Sequence, residues 1–332
     1  MSKTALSIAI STGDLNGIGI EVILKSFEER ALFDAVTPIV YGHKKALEFY
    51  ASRCDLAADF HQISDAAEAK SGCINVIQCW EENVEIEPGV PTKTSGKCAL
   101  DSLTRATQDL VSGKVQALVT APIDKDNIQS DSFKFPGHTE FLAKQAGSDS
   151  VLMFLVSEML RVGVVTGHVP ISKVSNLISE ERILDKLAMM HHSLKKDFGI
   201  DEPKIAVLGL NPHAGDNGLI GSEDGEIITP CLQKAKEQGI CAEGPFPADG
   251  LFGSRAYKNF DATLAMYHDQ GLVPFKTIAF EKGVNFTAGL PIVRTSPDHG
   301  TAFDIAGKNL ASPASFIRAI HCAHHICTKR AN

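Results

Sequence analysis

Short apolar, β-branched runs alternate with helical patterns along the chain, and that alternation constrains the fold more than any single motif. LSIAI (6–10) precedes a helical pattern near 20–30, and VTPIVYG (36–42) precedes KKALEFYASR. The run from Ala99 to Val111 has helical spacing and leads into VQALVTA (115–121). MLRVGVVTG (159–167), a helix near 180–198, KIAVLGL (204–210), a helix near 223–238 and ATLAMYH (262–268) continue the series. Two strands can pair in parallel only when a crossover separates them, so this order predicts an α/β fold with mostly parallel strands. At 332 residues, with 44% hydrophobic and 22% charged content, the chain is long enough for more than one core.

Several of the strands end in polar loops: TGD (12–14), TAPIDK (120–125), TGHVP (166–170), GLNPHAGDNG (209–218) and YHDQG (267–271). In open α/β sheets ligands bind outside the carboxyl ends of the strands, so five such loops predict one composite site. His168, His213 and His268 each end a strand or follow it by one to three residues. A lone His there is more often a hydrogen-bonded loop residue. Three in matching positions could form a His₃ site with an open position for substrate. Asp249 and Asp269 are candidates to orient these imidazoles or to act as a base. From Met266 to Lys308 the chain packs His268, Asp269, Lys276, Asn285, Arg294, Asp298 and His299 among Gly and Pro, and these residues are expected in loops.

The formal net charge of −8 argues against a nucleic-acid partner, so an acidic substrate needs a local basic pocket. Lys276 and Arg294 can supply it, Arg294 as a bidentate fork and Lys276 as a point charge, with Asn285 adding donors and an acceptor. No apolar run is long enough to span a bilayer, and MSKTALSIAIST reads as a first buried strand rather than a signal peptide. The eight cysteines (54, 73, 79, 98, 231, 241, 322, 327) contain no CxxC pair, and a reduced, cytoplasmic compartment is expected.

GDLNGIGIE (13–21) follows the first strand and opens a helix, a place where an anion can bind, but it is not a GxGxxG dinucleotide fingerprint. PGHTE (136–140) puts His138 and Thr139 just before FLAKQA, to cap that helix or to contact a phosphate. HCAHHIC (321–327) has metal-like spacing but no polar loop around it, and is expected to be a solvated terminal helix.

At these residues the chain resembles the 4-hydroxythreonine-4-phosphate dehydrogenase family. The resemblance runs through GDLNGIGIE, SGKCALDSLTRA (95–106), ALVTAPIDK (117–125), GHTEFLA (137–143), GLNPHAGDNG, GPFPADGLF (244–252), MYHDQGLVPFK and the run to Lys308. It implies two α/β domains about a central cleft, similar to isocitrate and isopropylmalate dehydrogenases. The expected division is 1–136 plus 285–332 for one domain and 137–284 for the other, with the active site in the cleft. It further implies metal ligands at His168, His213 and His268, and substrate contacts at His138, Thr139, Lys276, Asn285 and Arg294. The active site would be shared across a homodimer, one His coming from the partner subunit. The family's first block usually reads GDPxGIGPE, and Leu15 and Ile20 stand here in place of its prolines.

The chemistry so implied is oxidation of 4-phosphohydroxy-L-threonine with hydride transfer to NAD or NADP. The 3-keto acid formed would then decarboxylate to 3-amino-2-oxopropyl phosphate. The reaction would need one divalent metal, Zn, Co or Mg, of which Mg²⁺ is the poorest match for imidazoles. Asp249 and Lys276 are the candidate general bases. The rival expectations are a related dehydrogenase of phosphorylated threonate or erythronate, a metal-dependent phosphohydrolase, and a non-catalytic phosphometabolite-binding protein. No residue can be assigned to the nicotinamide cofactor, and Asp298 and His299 receive no role.

Overall fold

The computed structural model describes residues 5–57, 59–81, 83–280 and 282–331. Of the opening segment read as a buried strand, Met1–Thr4 lie outside the described residues. The chain divides into two compact units, Met1–Asp149 with Leu290–Thr328, and Ser150–Gly289 with Lys329–Asn332.

In the first unit the strands are β1 (Leu6–Ser11), β2 (Val36–Gly42), β3 (Phe60–Ile63), β4 (Ile74–Gln78), β5 (Ala117–Thr120) and, late in the chain, β12 (Arg294–Pro297). They lie in the order β3-β4-β2-β1-β5-β12, and every pairing is parallel. Strands covered on both faces need apolar residues on both, and Ile8, Ala9 and Ile10 of β1 are fully buried in succession. The helices are α1 (Gly19–Ser26), α2 (Leu32–Ala35), α3 (Lys44–Arg53), α4 (Lys93–Val111), α5 (His138–Gln145) and α11 (Ala314–Ala331). α4 starts at Lys93, ahead of the expected Ala99, because Thr92 and Ser95 form a reciprocal capping box. α5 belongs with this unit: Phe141 packs on Phe133 and Phe135 at ring-centroid distances of 5.4 and 5.6 Å.

The GDLNG loop after β1 is closed upon itself. Gly13 has φ +68°, and a Cβ there would lie 2.2 Å from the Pro122 carbonyl oxygen, so only glycine fits. The Asp14 amide donates to that same oxygen at 2.9 Å, Asn16 N donates to Asp14 Oδ1 at 3.0 Å, and Ile18 N donates to Thr301 O at 3.0 Å. The anion site expected at this helix start is therefore filled by the chain itself. Burial holds the Asp14 carboxyl above the usual carboxylate range, against the opposing effect of its bond from Asn16.

In the second unit the strands are β6 (Leu152–Val156), β7 (Arg161–Thr166), β8 (Lys204–Leu208), β9 (Cys241–Phe246), β10 (Ala262–Tyr267) and β11 (Val284–Ala288). The order is β11-β6-β7-β10-β8-β9, with β6 antiparallel to both neighbours and the remaining pairings parallel. β6 and β7 form a hairpin whose turn is tied by Ser157, which accepts from the amides of Met159 and Leu160. The helices are α6 (Val174–Leu177), α7 (Glu180–Lys196), α8 (Thr229–Glu237), α9 (Ala248–Gly253) and α10 (His268–Ala279).

The expectation of loops from Met266 onward is corrected here. His268, Asp269 and Lys276 lie on α10, Asn285 lies on β11 and Arg294 begins β12. α10 forms despite Gly271 and Pro274 because it has a core to pack against. Leu272, Phe275 and Ala279 are buried with Val162, Val164 and Ala265, and burying Phe275 alone is worth about 2–3 kcal/mol. Gly271 is required by that approach, since a Cβ would sit 2.7 Å from Val162 Cγ1. No helix among the described residues is long and apolar enough to cross a membrane.

Candidate active site

Two groups of polar side chains stand out, one in each unit. In the first, Arg294 is 2% exposed at the start of β12, and its Nε and Nη2 donate to Thr120 Oγ1 at 3.1 and 2.7 Å. The parallel pairing of Arg294 with Leu118 on β5 brings Thr120 within reach. Burial lowers the guanidinium pKa to about 10, partly offset by Glu140. His138 is the first residue of α5, after Gly137, and its Nε2 is sealed from solvent with no hydrogen-bond partner among the described residues. Burial holds this imidazole well below its ordinary range, and the charges of Arg294 and then Lys125 push it further down. Thr139, half-buried, is the second helical residue, so Gly137 and not Thr139 caps the helix. A desolvated guanidinium, a neutral imidazole and a helix N-terminus together can bind a phosphate or carboxylate.

The depressed His138 pKa has a measurable consequence without any ligand. Below pH about 6.5 the unfolded chain takes up a proton here that the folded chain refuses, so stability falls as pH falls. His138→Gln is expected to remove that loss, which is at most about 1.4 kcal/mol per pH unit. Urea unfolding at pH 7.5 and pH 5.0 would show a smaller difference for the variant. An equal difference would mean that His138 already titrates normally.

In the second unit His168 lies two residues beyond β7 and His268 opens α10. The two strands before them are tied where they end, by Thr166 Oγ1 donating to Met266 O at 2.8 Å. The imidazole rings are tilted 45° to each other with centroids 5.4 Å apart. They line a cavity of about 250 Å³ together with Asp269, Tyr267, Ile171 and Val174. His268 Nδ1 lies 2.7 Å from Asp269 Oδ1. That contact places the ring proton on Nδ1 and leaves the Nε2 lone pair for a cation, the arrangement in which a carboxylate orients a metal-binding His. Two imidazoles, one of them so oriented, fit a borderline-soft divalent ion.

His213 follows β8 by five residues, not the expected one to three, and is exposed. It stands in a left-handed turn: His213, Ala214, Gly215, Asp216 and Asn217 all have φ between 44° and 80°. Each non-glycine residue there costs about 1–2 kcal/mol, so the turn must be held from outside. Buried Asp224 does so, accepting from the amides of Leu210 and Asn211 at 2.7 and 3.1 Å and from Asn211 Nδ2 at 3.0 Å. Gln270 of α10 ties the same end of β8 to β10, accepting from Met266 N and donating to Gly209 O at 2.7 and 2.6 Å. The strained turn, so held, presents the His213 imidazole to solvent. Within one chain, however, His213 does not join the other two: no group of three His, Cys, Asp or Glu is placed to hold a metal among the described residues.

The same is true of HCAHHIC, which lies on α11. That helix is not a loose tail, because Phe316, Ala319, Ile320, Ala323 and Ile326 are buried along one face. Lys276 is half-buried on α10, and Asn285 presents a buried Oδ1 with no hydrogen-bond partner among the described residues. Asp249 is exposed in the first turn of α9. Asp298 N donates to Ser315 Oγ at 3.2 Å, and His299 Nδ1 lies 3.1 Å from Gly300 O.

The profile of the family described as "Pyridoxal phosphate biosynthetic protein PdxA" matches residues 34–323. The chain belongs to the PdxA family. It is 47% identical over 331 residues to a 4-hydroxythreonine-4-phosphate dehydrogenase from Bacteroides thetaiotaomicron, covering 99% of this chain and 91% of that one. It is 41% identical to a candidate D-threonate 4-phosphate dehydrogenase from Oceanobacillus iheyensis, with 97% and 98% covered. A crystal structure of 4-hydroxythreonine-4-phosphate dehydrogenase from Klebsiella pneumoniae superposes with a TM-score of 0.86 at 36% identity, covering 98% of this chain and 99% of that one.

In this PdxA-family chain the supports of the site were the residues that sequence reasoning missed. Thr120, Asp224 and Gln270 bond to groups many residues away, and their chemistry is ordinary in isolation. Only the position of Thr120 in TAPIDK, already read as a strand-end loop, offered a signal.

Proposed function

We propose that the chain is an NAD(P)-dependent, metal-dependent dehydrogenase of a phosphorylated hydroxy acid, acting on 4-phosphohydroxy-L-threonine. The observation that carries this reading is the sealed Nε2 of His138 beside the buried guanidinium of Arg294. A buried polar nitrogen without a partner is costly, and an anionic ligand relieves that cost. Family membership and the names of the relatives support the choice of reaction.

In this reading Arg294 and His138, with Thr139 at the start of α5, hold an anionic end of the substrate. Neutral His138 donates from Nε2 while Arg294 supplies the charge, and Thr120 keeps the guanidinium fork in one orientation. Lys276 adds a second cation, and Asn285 Oδ1 accepts from a substrate hydroxyl or ammonium group. Asp249 takes the proton of the C3 hydroxyl as the C3 hydride leaves, or Lys276 does so as a neutral amine, in place of its role as the second cation. A bound nicotinamide would supply the acceptor for that hydride, and the oxidised product is 2-amino-3-oxo-4-phosphooxybutanoate. Its carboxylate lies β to the new carbonyl, so loss of CO₂ gives 3-amino-2-oxopropyl phosphate. His168 and His268 would hold the divalent ion with His213 of a second copy, and when bound it would lower the hydroxyl pKa and draw off the charge left by decarboxylation.

The surface around these histidines supports a homodimer. Ile171 beside the His168–His268 cavity is 73% exposed, Val273 on α10 and Phe280 just after it are 60% and 68% exposed, and Leu219 beyond His213 is 82% exposed. Large apolar residues left this exposed call for a covering surface, and Ile171 lies at the His168–His268 cavity itself.

The deciding measurement follows absorbance of reduced nicotinamide with 4-phosphohydroxythreonine, phosphorylated threonate and phosphorylated erythronate, each with NAD⁺ and NADP⁺. Turnover is expected to be fastest with 4-phosphohydroxythreonine. Preference for phosphorylated threonate, the substrate class in the name of the 41%-identical relative, would reassign the substrate and keep the reaction. Phosphate release without nicotinamide reduction would refute the dehydrogenase.

A further inference from the structure

We propose that the cavity between β9 and α9 binds a small aromatic zwitterion, an α-amino acid of the phenylalanine type. None of the residues lining it takes part in the reaction assigned above, so this site stands apart from that reading. Its volume is about 480 Å³, within the range of about 300–1,000 Å³ usual for small-molecule sites. Lys204, Glu243, Phe246, Gly250, Leu251 and Phe260 are among its walls.

A regular strand would send Glu243 and Phe246, three residues apart, to opposite faces of the sheet. The register of β8 against β9 shifts between them: Ala206 pairs with Glu243, and Leu208 with Phe246. This bulge brings Glu243 and Phe246 onto the face that also carries Lys204. Ala206, small and fully buried between the two charged residues, leaves room above the sheet. The facing wall comes from α9 and its caps. Pro247, Gly250, Leu251 and Ser254 recur at three- and four-residue spacing, and all line the cavity.

The inner walls suit an aromatic ring. Leu251 is buried, and Phe246 and Phe260 are half-buried with ring centroids 5.5 Å apart and planes at 60°. A tilted pair leaves faces and edges for a third ring, in the arrangement that aromatic groups prefer. The mouth carries one charge of each sign. Lys204 and Glu243 are exposed, and no ion pair joins them among the described residues. They are diagonal neighbours on adjacent strands, with Cα atoms roughly 8 Å apart. An ammonium and a carboxylate on one carbon fit between two such side chains, the carboxylate toward Lys204 and the ammonium toward Glu243. A simple anion would meet Glu243 and a simple cation Lys204, so neither complements both.

Phe246 also links the cavity to the His213 turn. Its carbonyl oxygen accepts from Gly209 N at 2.9 Å, at the start of the loop that carries His213. A ligand that holds Phe246 therefore steadies that loop.

Calorimetry of the full-length protein with L-phenylalanine is expected to show saturable binding, with a dissociation constant below about 2 mM. N-acetylphenylalanine and phenylalaninamide each lack one charge and should bind at least about fivefold more weakly. Lys204→Ala and Glu243→Ala should each weaken phenylalanine binding about twofold to fivefold, the effect of an exposed charge. A Cβ at Gly250 would meet nothing nearer than Pro247 Cβ, at 3.8 Å, so Gly250→Leu can be accommodated and fills the cavity. That variant is expected to lose binding by about twentyfold or more. Wild-type affinity in Gly250→Leu, equal affinity for N-acetylphenylalanine, or no phenylalanine binding at all would overturn the assignment. If Gly250→Leu does not fold, the three ligands compared on the wild-type protein still decide. Bound phenylalanine should also slow amide hydrogen exchange across residues 209–218, and binding without that protection would keep the site and refute its link to His213.

Discussion

His213→Ala is expected to abolish turnover and metal retention together while leaving the fold intact. His213 is exposed and makes no core contact, so its removal should change stability by no more than about 0.5 kcal/mol. Metal content by elemental analysis, turnover by nicotinamide absorbance and folding by circular dichroism separate these effects. A stronger test uses two dead variants. If His213 completes the His168–His268 pair of a second copy, a hybrid of His213→Ala with His268→Ala has one intact site. Random reassembly of the two should then restore roughly a quarter of wild-type activity. A site built within one chain predicts no recovery at all. Full activity of His213→Ala after treatment with a chelator would sink the metal hypothesis itself.

Arg294→Ala is expected to lower kcat/KM for the phosphorylated substrate by about a hundredfold to several thousandfold. The estimate follows from removing one partner of a buried, hydrogen-bonded charge pair, about 3–5 kcal/mol. The larger part should fall in KM, since the guanidinium binds an end of the substrate remote from the reacting carbon. Arg294→Lys should recover only a fraction, because an ammonium cannot reproduce the two bonds to Thr120 Oγ1 and still offer a fork to the ligand. A KM within about threefold of wild type for Arg294→Ala would remove Arg294 from the substrate site.

Much of the fold could be read before any coordinates, and the reasons are local. β1, β2, β5, β7, β8 and β10 are apolar runs between turn residues, and α3 and α7 carry clean helical periods. β3, β4, β6, β9, β11 and β12 were not foreseen. Arg294–Pro297 reads RTSP, which has little strand character, and pairs only because β5 presents an open edge. α10 was misread as loop for the converse reason. Gly271 and Pro274 disfavour a helix locally, and the packing of Leu272 and Phe275 overrides them.

The candidate site divides along the same line. Residue type singled out the candidates His168, His213 and His268 at strand ends and Lys276, Asn285 and Arg294 in a Gly- and Pro-punctuated stretch, because imidazole, amide, ammonium and guanidinium chemistry is carried by the side chain itself. Tertiary structure alone could reveal that His138 is held neutral, that Arg294 is desolvated against Thr120, and that Asp224 keeps His213 on a strained turn. It also showed that the glycine-rich first loop is filled by its own chain, and that a bulge in β9 brings Glu243 and Phe246 onto one face. Each of these depends on burial and on partners distant in sequence, which no local pattern encodes.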